Sequence, residues 1–319
     1  MTTFDVSCVG FAVLDILGRP VTVIPEGGRA DFIEEIRMTV AGTAAATAMD
    51  CAILGLRTRM VSSVGNDDMG DFLISKMQGY GMDTAMMSRD PDNQTSSTIL
   101  PVRPNGERPA LHVRGSATTF TLVPEQYADA LDAKIVHLGG TGLLWAFDGQ
   151  PSVDFLKAAK AAGRTTTFDL IQANPETIEK VLPLLPYIDY FIPSIEEAEE
   201  MAGTSGPEAT ARWFRERGVR NAILTLGGDG VYADPEDGAP FTLPAHDIEV
   251  VDTTGCGDSF TAGMITGLSK GWDLRRCARF ASAVAAQVAM GLGSDGKLGS
   301  FEDTLHAMET LPLKELTDA

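Results

Sequence analysis

Short apolar runs closed by glycine, proline or a carboxylate recur along this chain, with longer stretches of helical period between them. Phe4 to Val9 is the first, ending at Gly10, and reads as a central strand. Arg59 to Val64 predicts another, followed by a helix. From Ala133 the alternation becomes regular. Strands are predicted at Lys134 to Leu138, Thr165 to Leu170, Ile188 to Ile192 and Asn221 to Leu226. A helix opens at Pro151-Ser152, with Ser152 as its cap and Gly163 as its stop. Later helices are predicted from Asp258 to about Leu268, from Arg275 to about Met290, and from Phe301 into a frayed tail at Leu316. Strands parted by helices at these intervals argue a parallel sheet with right-handed crossovers.

Two excursions break that rhythm. Pro20 to Ile24 and Ile36 to Val40 alternate and are rich in β-formers, either side of Glu26-Gly27-Gly28-Arg29. Thr95 to Val102 and Arg108 to Val113 flank Asn105-Gly106, a pair that suits a type I′ hairpin turn. The expected fold is α/β, a single domain over residues 1–319. Its central sheet is mostly parallel, doubly wound and flanked by helices, and a small second β-sheet comes from about 18–40 and 95–115.

One stretch concentrates the chemistry. After the β-branched run Ile248 to Val251 come Asp252-Thr253-Thr254-Gly255-Cys256-Gly257-Asp258, and then the helix. Two glycines let successive N–H groups from Gly255 to Asp258 point into one concavity with a helix N-terminus behind it, an anion site. Asp258 stands at its mouth. Helix capping accounts for an Asp there. A base beside a phosphate cradle is also what phosphoryl transfer to an alcohol requires.

The seven residues from Asp252 resemble D-T-x-G-A-G-D, the C-terminal signature of the ribokinase-like (PfkB) family of carbohydrate and nucleoside kinases, with Cys256 in place of Ala. The resemblance implies Asp258 as catalytic base and the amides of Gly255, Cys256 and Gly257 as anion hole. It makes the small sheet a lid over the substrate that doubles as a homodimer interface. Asp15 is the only charge between Val6 and Gly18, and the resemblance makes it the grip on substrate hydroxyls. Ala41-Gly42-Thr43 resembles the family's Gly-Gly element, placing Gly42 and Thr43 at the substrate. Ala46 stands where the family has a substrate-binding Asn. Small residues there also fit close helix–sheet packing.

Val64-Gly65-Asn66-Asp67 opens a V-G-x-D-x-x-G element, with Gly65 against the substrate; Asp67 and Asp68 also fit as first-turn acids. Arg114 reaches a sugar or phosphate, or is merely solvated. Pro193-Ser194-x-x-Glu197 resembles N-x-x-E, implying that Glu197 organises Mg2+, often through water, with Ser194 replacing Asn on the nucleotide side. Thr225, Gly227 and Gly230 match the nucleotide loop, and Ser282 lies on the Ala-rich helix that backs it. Asp252 and Thr254 match a monovalent-cation (K+) site closed by residues 291–299.

Lys plus Arg number 25 and Asp plus Glu 44, a formal charge of −19. That field repels nucleic acid and anionic membranes, so neither is an expected partner. It repels ATP too, so a nucleotide site here rests on local amides, a few basic groups and a metal ion. No apolar run approaches the roughly 18 residues of a membrane span. The N-terminus has no basic segment before an apolar core. Cys8, Cys51, Cys256 and Cys277 form no C-x-x-C pair, and a cytoplasmic location is expected. Cys256 is either a small filler or, beside an anion hole, a thiol of lowered pKa. The histidines show no ligand spacing.

The expected activity is ATP-dependent phosphorylation of a hydroxymethyl group on a sugar or sugar-like polyol. A nucleoside acceptor is one alternative. A sugar-binding relative without catalysis, motivated by Ala46 and Ser194, is the other. The first strand lacks Gly-x-Gly-x-x-Gly, which counts against a dinucleotide dehydrogenase.

Overall fold

The computed structural model describes residues 2–171 and 173–315, so Leu316 lies outside the described residues. In chain order the strands are β1 (Phe4–Gly10), β2 (Val13–Arg19), β3 (Glu35–Ala41), β4 (Thr58–Gly65), β5 (Asp83–Asp90), β6 (Ser97–Pro101) and β7 (Leu111–Val113). They continue as β8 (Ala133–Thr141), β9 (Thr165–Leu170), β10 (Tyr190–Phe191), β11 (Asn221–Thr225), β12 (Val231–Asp234) and β13 (Phe241–Leu243).

Nine of them form one sheet in the order β13-β12-β11-β10-β9-β8-β1-β4-β5, and four form another, β3-β2-β6-β7. Every neighbour from β11 to β5 is parallel, while β12 and β13 finish the far edge antiparallel. Val6, Cys8 and Val9 of β1 have no exposure, as expected of a parallel strand covered on both faces. β1 pairs with β4 on one side and β8 on the other. The winding therefore reverses at β1, and the crevice beyond its C-terminal end is where such sheets bind ligands.

Helices Thr43–Ile53, Cys256–Ser269 and Leu274–Ala289 pack beside this crevice. Ala44, Ala45 and Ala48 are wholly buried, and the Thr47 hydroxyl donates to the Asp258 carbonyl at 3.1 Å, stitching the first helix to the second.

The small sheet begins earlier than expected. Its first strand is β2, from Val13, and Pro20 ends it because it has no N–H to offer a ladder. Pro20 to Ile24 forms no strand, and Val23 and Ile24 are exposed. The β6–β7 hairpin is present, but its turn is not type I′. Gly106 donates to the Arg103 carbonyl at 3.0 Å and is alone in the turn at positive φ, whereas type I′ needs two such residues. Ser152 does not cap its helix. Gly149 holds that place, and the Ser152 hydroxyl donates back to the Gly149 carbonyl at 2.8 Å. Nor is Ile248 to Val251 a strand, since the Val251 and Asp252 amides both donate to the Ala289 carbonyl, at 2.8 and 3.3 Å.

Candidate active site

Gly255 sets the turn at the centre of the crevice. It precedes the Cys256–Ser269 helix at φ 75° and ψ 3°, and a Cβ there would stand 2.7 Å from the Ser294 Cα. Backbone angle and space both demand glycine. The first helical bond runs from the Ser259 amide to the Gly255 carbonyl at 2.8 Å, which leaves the amides before it in the unpaired first turn. Cys256 N–H leans on the Thr253 carbonyl at 3.3 Å. Among the described residues, the amides of Gly255, Gly257 and Asp258 make no backbone bond. Nothing lies within 4 Å of a Cβ placed on Gly257, so that side faces open space.

Asp258 is part-exposed at this turn. Burial, then the charges of Asp15 and Glu197, push its carboxyl up to about 7. Behind the turn, Asp50 lies against Ser259, whose hydroxyl donates to the Gly255 carbonyl at 2.8 Å. Asp50 is fully buried, neither of its oxygens has a well-formed hydrogen bond, and burial holds it well above the ordinary carboxylate range.

The lid supplies the opposite wall. Asp15 is not in a loop after β1 but within β2, level with Thr39 on β3 and Thr98 on β6, and Thr98 is level with His112 on β7. Side chains level across a sheet share a face, so Asp15, Thr39, Thr98 and His112 make one polar row. Thr98 Oγ1 lies 3.1 Å from His112 Nδ1. Asp15 Oδ1 is buried without a partner, and burial pushes the carboxyl up to about 6 against the pull of Thr98 and Arg108. A buried carboxylate oxygen left unpaired is an acceptor awaiting a donor.

Gly42 and the buried Thr43, with Thr43 Oγ1 also unpartnered, open the Thr43–Ile53 helix beside this row. Ala46 is wholly buried and offers no polar group. Gly65 donates its N–H to Thr95 Oγ1 at 2.9 Å, at the foot of the lid. Asp67 caps the Asp68–Gly79 helix through the Gly70 amide at 2.8 Å, and takes the Thr95 amide and hydroxyl at 2.8 and 2.6 Å. Those partners make Asp67 an anchor of the lid. Arg114 stacks on Trp145, its guanidinium 4.7 Å from the ring centre.

On the other side of Gly257 opens a cavity of about 250 Å³. Thr225, Gly227, Gly230 and Ser282 stand in its wall with the apolar Ile248 and Ala285, and Cys256 and Gly257 close its inner end. Ser194 is not in that wall. It caps the Ile195–Ala202 helix and gives its hydroxyl and amide to Glu197 Oε2, at 2.8 and 3.1 Å. Burial raises the Glu197 carboxyl, and raises that of Asp169 at the end of β9 with help from Glu197 and Asp258. Asp169 thus feels the charges of Glu197 and Asp258, though among the described residues no three carboxyls stand close enough together to hold a metal ion. Burial also pushes the Cys256 thiol up to about 12, the direction of a packed filler and not of a reactive thiol.

Asp252 is buried. Its Oδ1 accepts the Thr254 amide and hydroxyl at 2.9 and 2.7 Å and Arg108 Nη1 at 3.0 Å, while Oδ2 accepts the Gly293 amide at 2.8 Å. Arg108 also donates to Thr253 Oγ1 at 2.9 Å, so the lid hairpin reaches down to the signature. Sequence reading passed over Arg108 and Asp169 as site residues. The Asp at a strand's C-terminal end was the one available signal for Asp169; Arg108 had none.

Asp258 and the open amides of the turn thus stand between the buried Asp15 on one side and a largely apolar cavity on the other. Sequence comparison then gives the family. The profile described as "pfkB family carbohydrate kinase" matches residues 4–297, and the chain belongs to that family. It is 27% identical to 2-dehydro-3-deoxygluconokinase of Bacillus subtilis over 86% of this chain and 89% of the relative. It is 28% identical to an ATP-dependent 6-phosphofructokinase of Thermoanaerobacterium thermosaccharolyticum, over 97% and 94% respectively. The fold matches Arabidopsis thaliana ribokinase complexed with ribose and ATP at a TM-score of 0.81 and 22% identity, covering 97% of this chain and 99% of that one.

Proposed function

We propose that the protein transfers the terminal phosphoryl group of ATP to a hydroxymethyl group of a sugar or sugar-like polyol. The observation that carries this is the turn at Gly257: Cys256 and Gly257 line the cavity, and the next residue, Asp258, lies close enough to Asp15 for that charge to act on it. Asp15 and the lid row take the acceptor's hydroxyls. Asp258 receives the proton of the attacking hydroxyl, and the amides of Gly255 and Gly257 steady the migrating charge. The lid excludes water, which would otherwise compete as acceptor.

Glu197 and Asp169 are the residues that would hold a magnesium ion, because the Glu197 charge acts on buried Asp169 and a divalent cation would relieve it. Magnesium, when bound, neutralises the phosphates. A potassium ion fits poorly, since the oxygens of Asp252 and Thr254 are engaged with one another and with Arg108. A sugar acid is the narrower acceptor favoured by the name of the Bacillus subtilis relative. ATP consumption over a panel of sugars, sugar acids, polyols and nucleosides tests the reading. Turnover with nucleosides alone would replace the sugar, and binding without turnover would remove catalysis.

The lid's outer face supports a homodimer. Met38, Ile16, Ile99 and Leu111 stand level across all four strands of the small sheet. Met38, Ile99 and Leu111 are 40%, 54% and 67% exposed, and Ile36 beside them is 71% exposed. A sheet with polar residues inward and a continuous apolar row outward needs a cover. A second copy presenting the same row is self-complementary about a twofold axis.

A further inference from the structure

The loop of residues 291–299 runs directly beneath the anion hole, with Ser294 packed under Gly255. Two of its oxygen groups, the Leu292 carbonyl and the Asp295 carboxylate, are already served by side chains of this chain, while the buried Ser294 Oγ has no partner. The Leu292 carbonyl accepts Arg37 Nη1. The Asp295 carboxylate accepts Arg37 Nη2 at 2.5 Å and the Tyr80 hydroxyl at 3.0 Å. The Ala289 carbonyl just before the loop takes the Val251 and Asp252 amides, and Asp252 itself takes Arg108. A potassium ion is held by oxygens that converge to replace its hydration shell. Here those oxygens hold guanidinium groups, backbone amides and a tyrosine hydroxyl instead.

Arg37 belongs to β3 and lies level with Leu17 of β2. Leu17, Leu100, Val102 and Leu292 form one buried apolar cluster, and Thr39 and Leu17 come within 3.4 and 3.8 Å of the Gly293 Cβ position. The guanidinium is thus pinned to the loop by the same sheet that covers the acceptor. A guanidinium is planar, weakly hydrated and always charged, so it can bridge a carbonyl and a carboxylate at once.

We infer that Arg37, seconded by Arg108, is a tethered cation that orders the loop under the anion hole, and that this kinase needs no monovalent ion. The inference rests on the phosphotransferase reading, and the test below separates the two. Protein and ATP are freed of alkali ions in choline chloride, and turnover is compared at equal ionic strength in choline, sodium, potassium and caesium chloride. Calorimetric ATP affinity and the melting temperature are read in the same buffers.

The wild type should vary by no more than about twofold in turnover and ATP affinity between choline and potassium. Arg37→Gln should lose about tenfold to a hundredfold of its turnover in choline, the scale of a charge-assisted hydrogen bond. Potassium or guanidinium chloride should restore part of that loss. Arg37→Lys keeps a cation on the same strand and should fall between the two. Activation of the wild type by potassium of about tenfold or more would overturn the inference, as would full activity of Arg37→Gln in choline. If no acceptor is phosphorylated in any salt, the kinase reading fails and the binding and melting data still decide. A potassium-dependent gain in the wild type then counts against the tethered cation, and a gain confined to Arg37→Gln counts for it.

Discussion

Asp258→Asn is the perturbation with the most to say. Burial and the neighbouring carboxyls move the Asp258 pKa from 3.8 to about 7. A shift of that size corresponds to about 4 kcal/mol favouring the protonated form, less the screening that water in the cleft supplies. In turnover, loss of a general base costs on the order of 10²–10⁴-fold. In stability the sign is opposite. A carboxyl raised in the folded state keeps its full contribution below its unfolded pKa and loses it as pH climbs through the folded value. Asp258→Asn should therefore melt with the wild type near pH 4 and above it at pH 8, the gap opening between about 4 and 7. The wild-type kcat/KM should fall about tenfold per unit below roughly pH 6.5 and level off above 8, because the base must be ionised to accept a proton. Glu197→Gln or Asp15→Asn removes a like charge and should move that acid limb to lower pH. The assay is ADP release with the best acceptor of the panel, alongside melting scans across pH. Asparagine at 258 with turnover within about fivefold of wild type, or a profile flat down to pH 5, would refute the assignment.

Gly255→Ala forces a Cβ into the left-handed region and against Ser294, which should cost about 2–4 kcal/mol in denaturant unfolding and nearly all turnover. Unchanged stability would mean the turn relaxes freely. Glu197→Gln and Asp169→Asn should each weaken manganese binding in the ADP complex, read by electron paramagnetic resonance, while leaving the acceptor KM near its wild-type value. Equal manganese affinity in both variants would take the metal from that corner. Ile99→Glu should give a monomer by light scattering where the wild type gives a dimer. A wild type that is itself monomeric at assay concentration would end the interface reading.

The legible parts of this chain were those set by short-range rules. β1, β8 and β9 are largely buried, and their β-branched and apolar residues between turn signals were legible although Asp5, His137 and the threonines of β9 interrupt them, while the Gly255 turn announces itself because only glycine fits there. Local pattern misled at Ile248 to Val251, where Ile248 and Val250 line the cavity without joining the sheet. It was silent at β5, an edge strand whose polar and charged residues carry no apolar run, and at the short β12 and β13. β2 hid Asp15 because a lid strand meets the core with one face and the outside with the other, both apolar in part. The least legible features join distant residues. Arg108 meets Asp252 across 144 positions and Arg37 meets Asp295 across 258, and no periodicity records either pairing.

In β2, positions 15 and 16 stand back to back. The carboxylate proposed to meet the acceptor and the isoleucine on the far side hang from adjacent α-carbons, parted by one thickness of main chain. Whatever leans on that isoleucine, whether another molecule, a bulky label or a substituted neighbour, leans on the substrate's seat as well. Remodelling one side for a new sugar and the other for a new neighbour are consequently a single engineering problem.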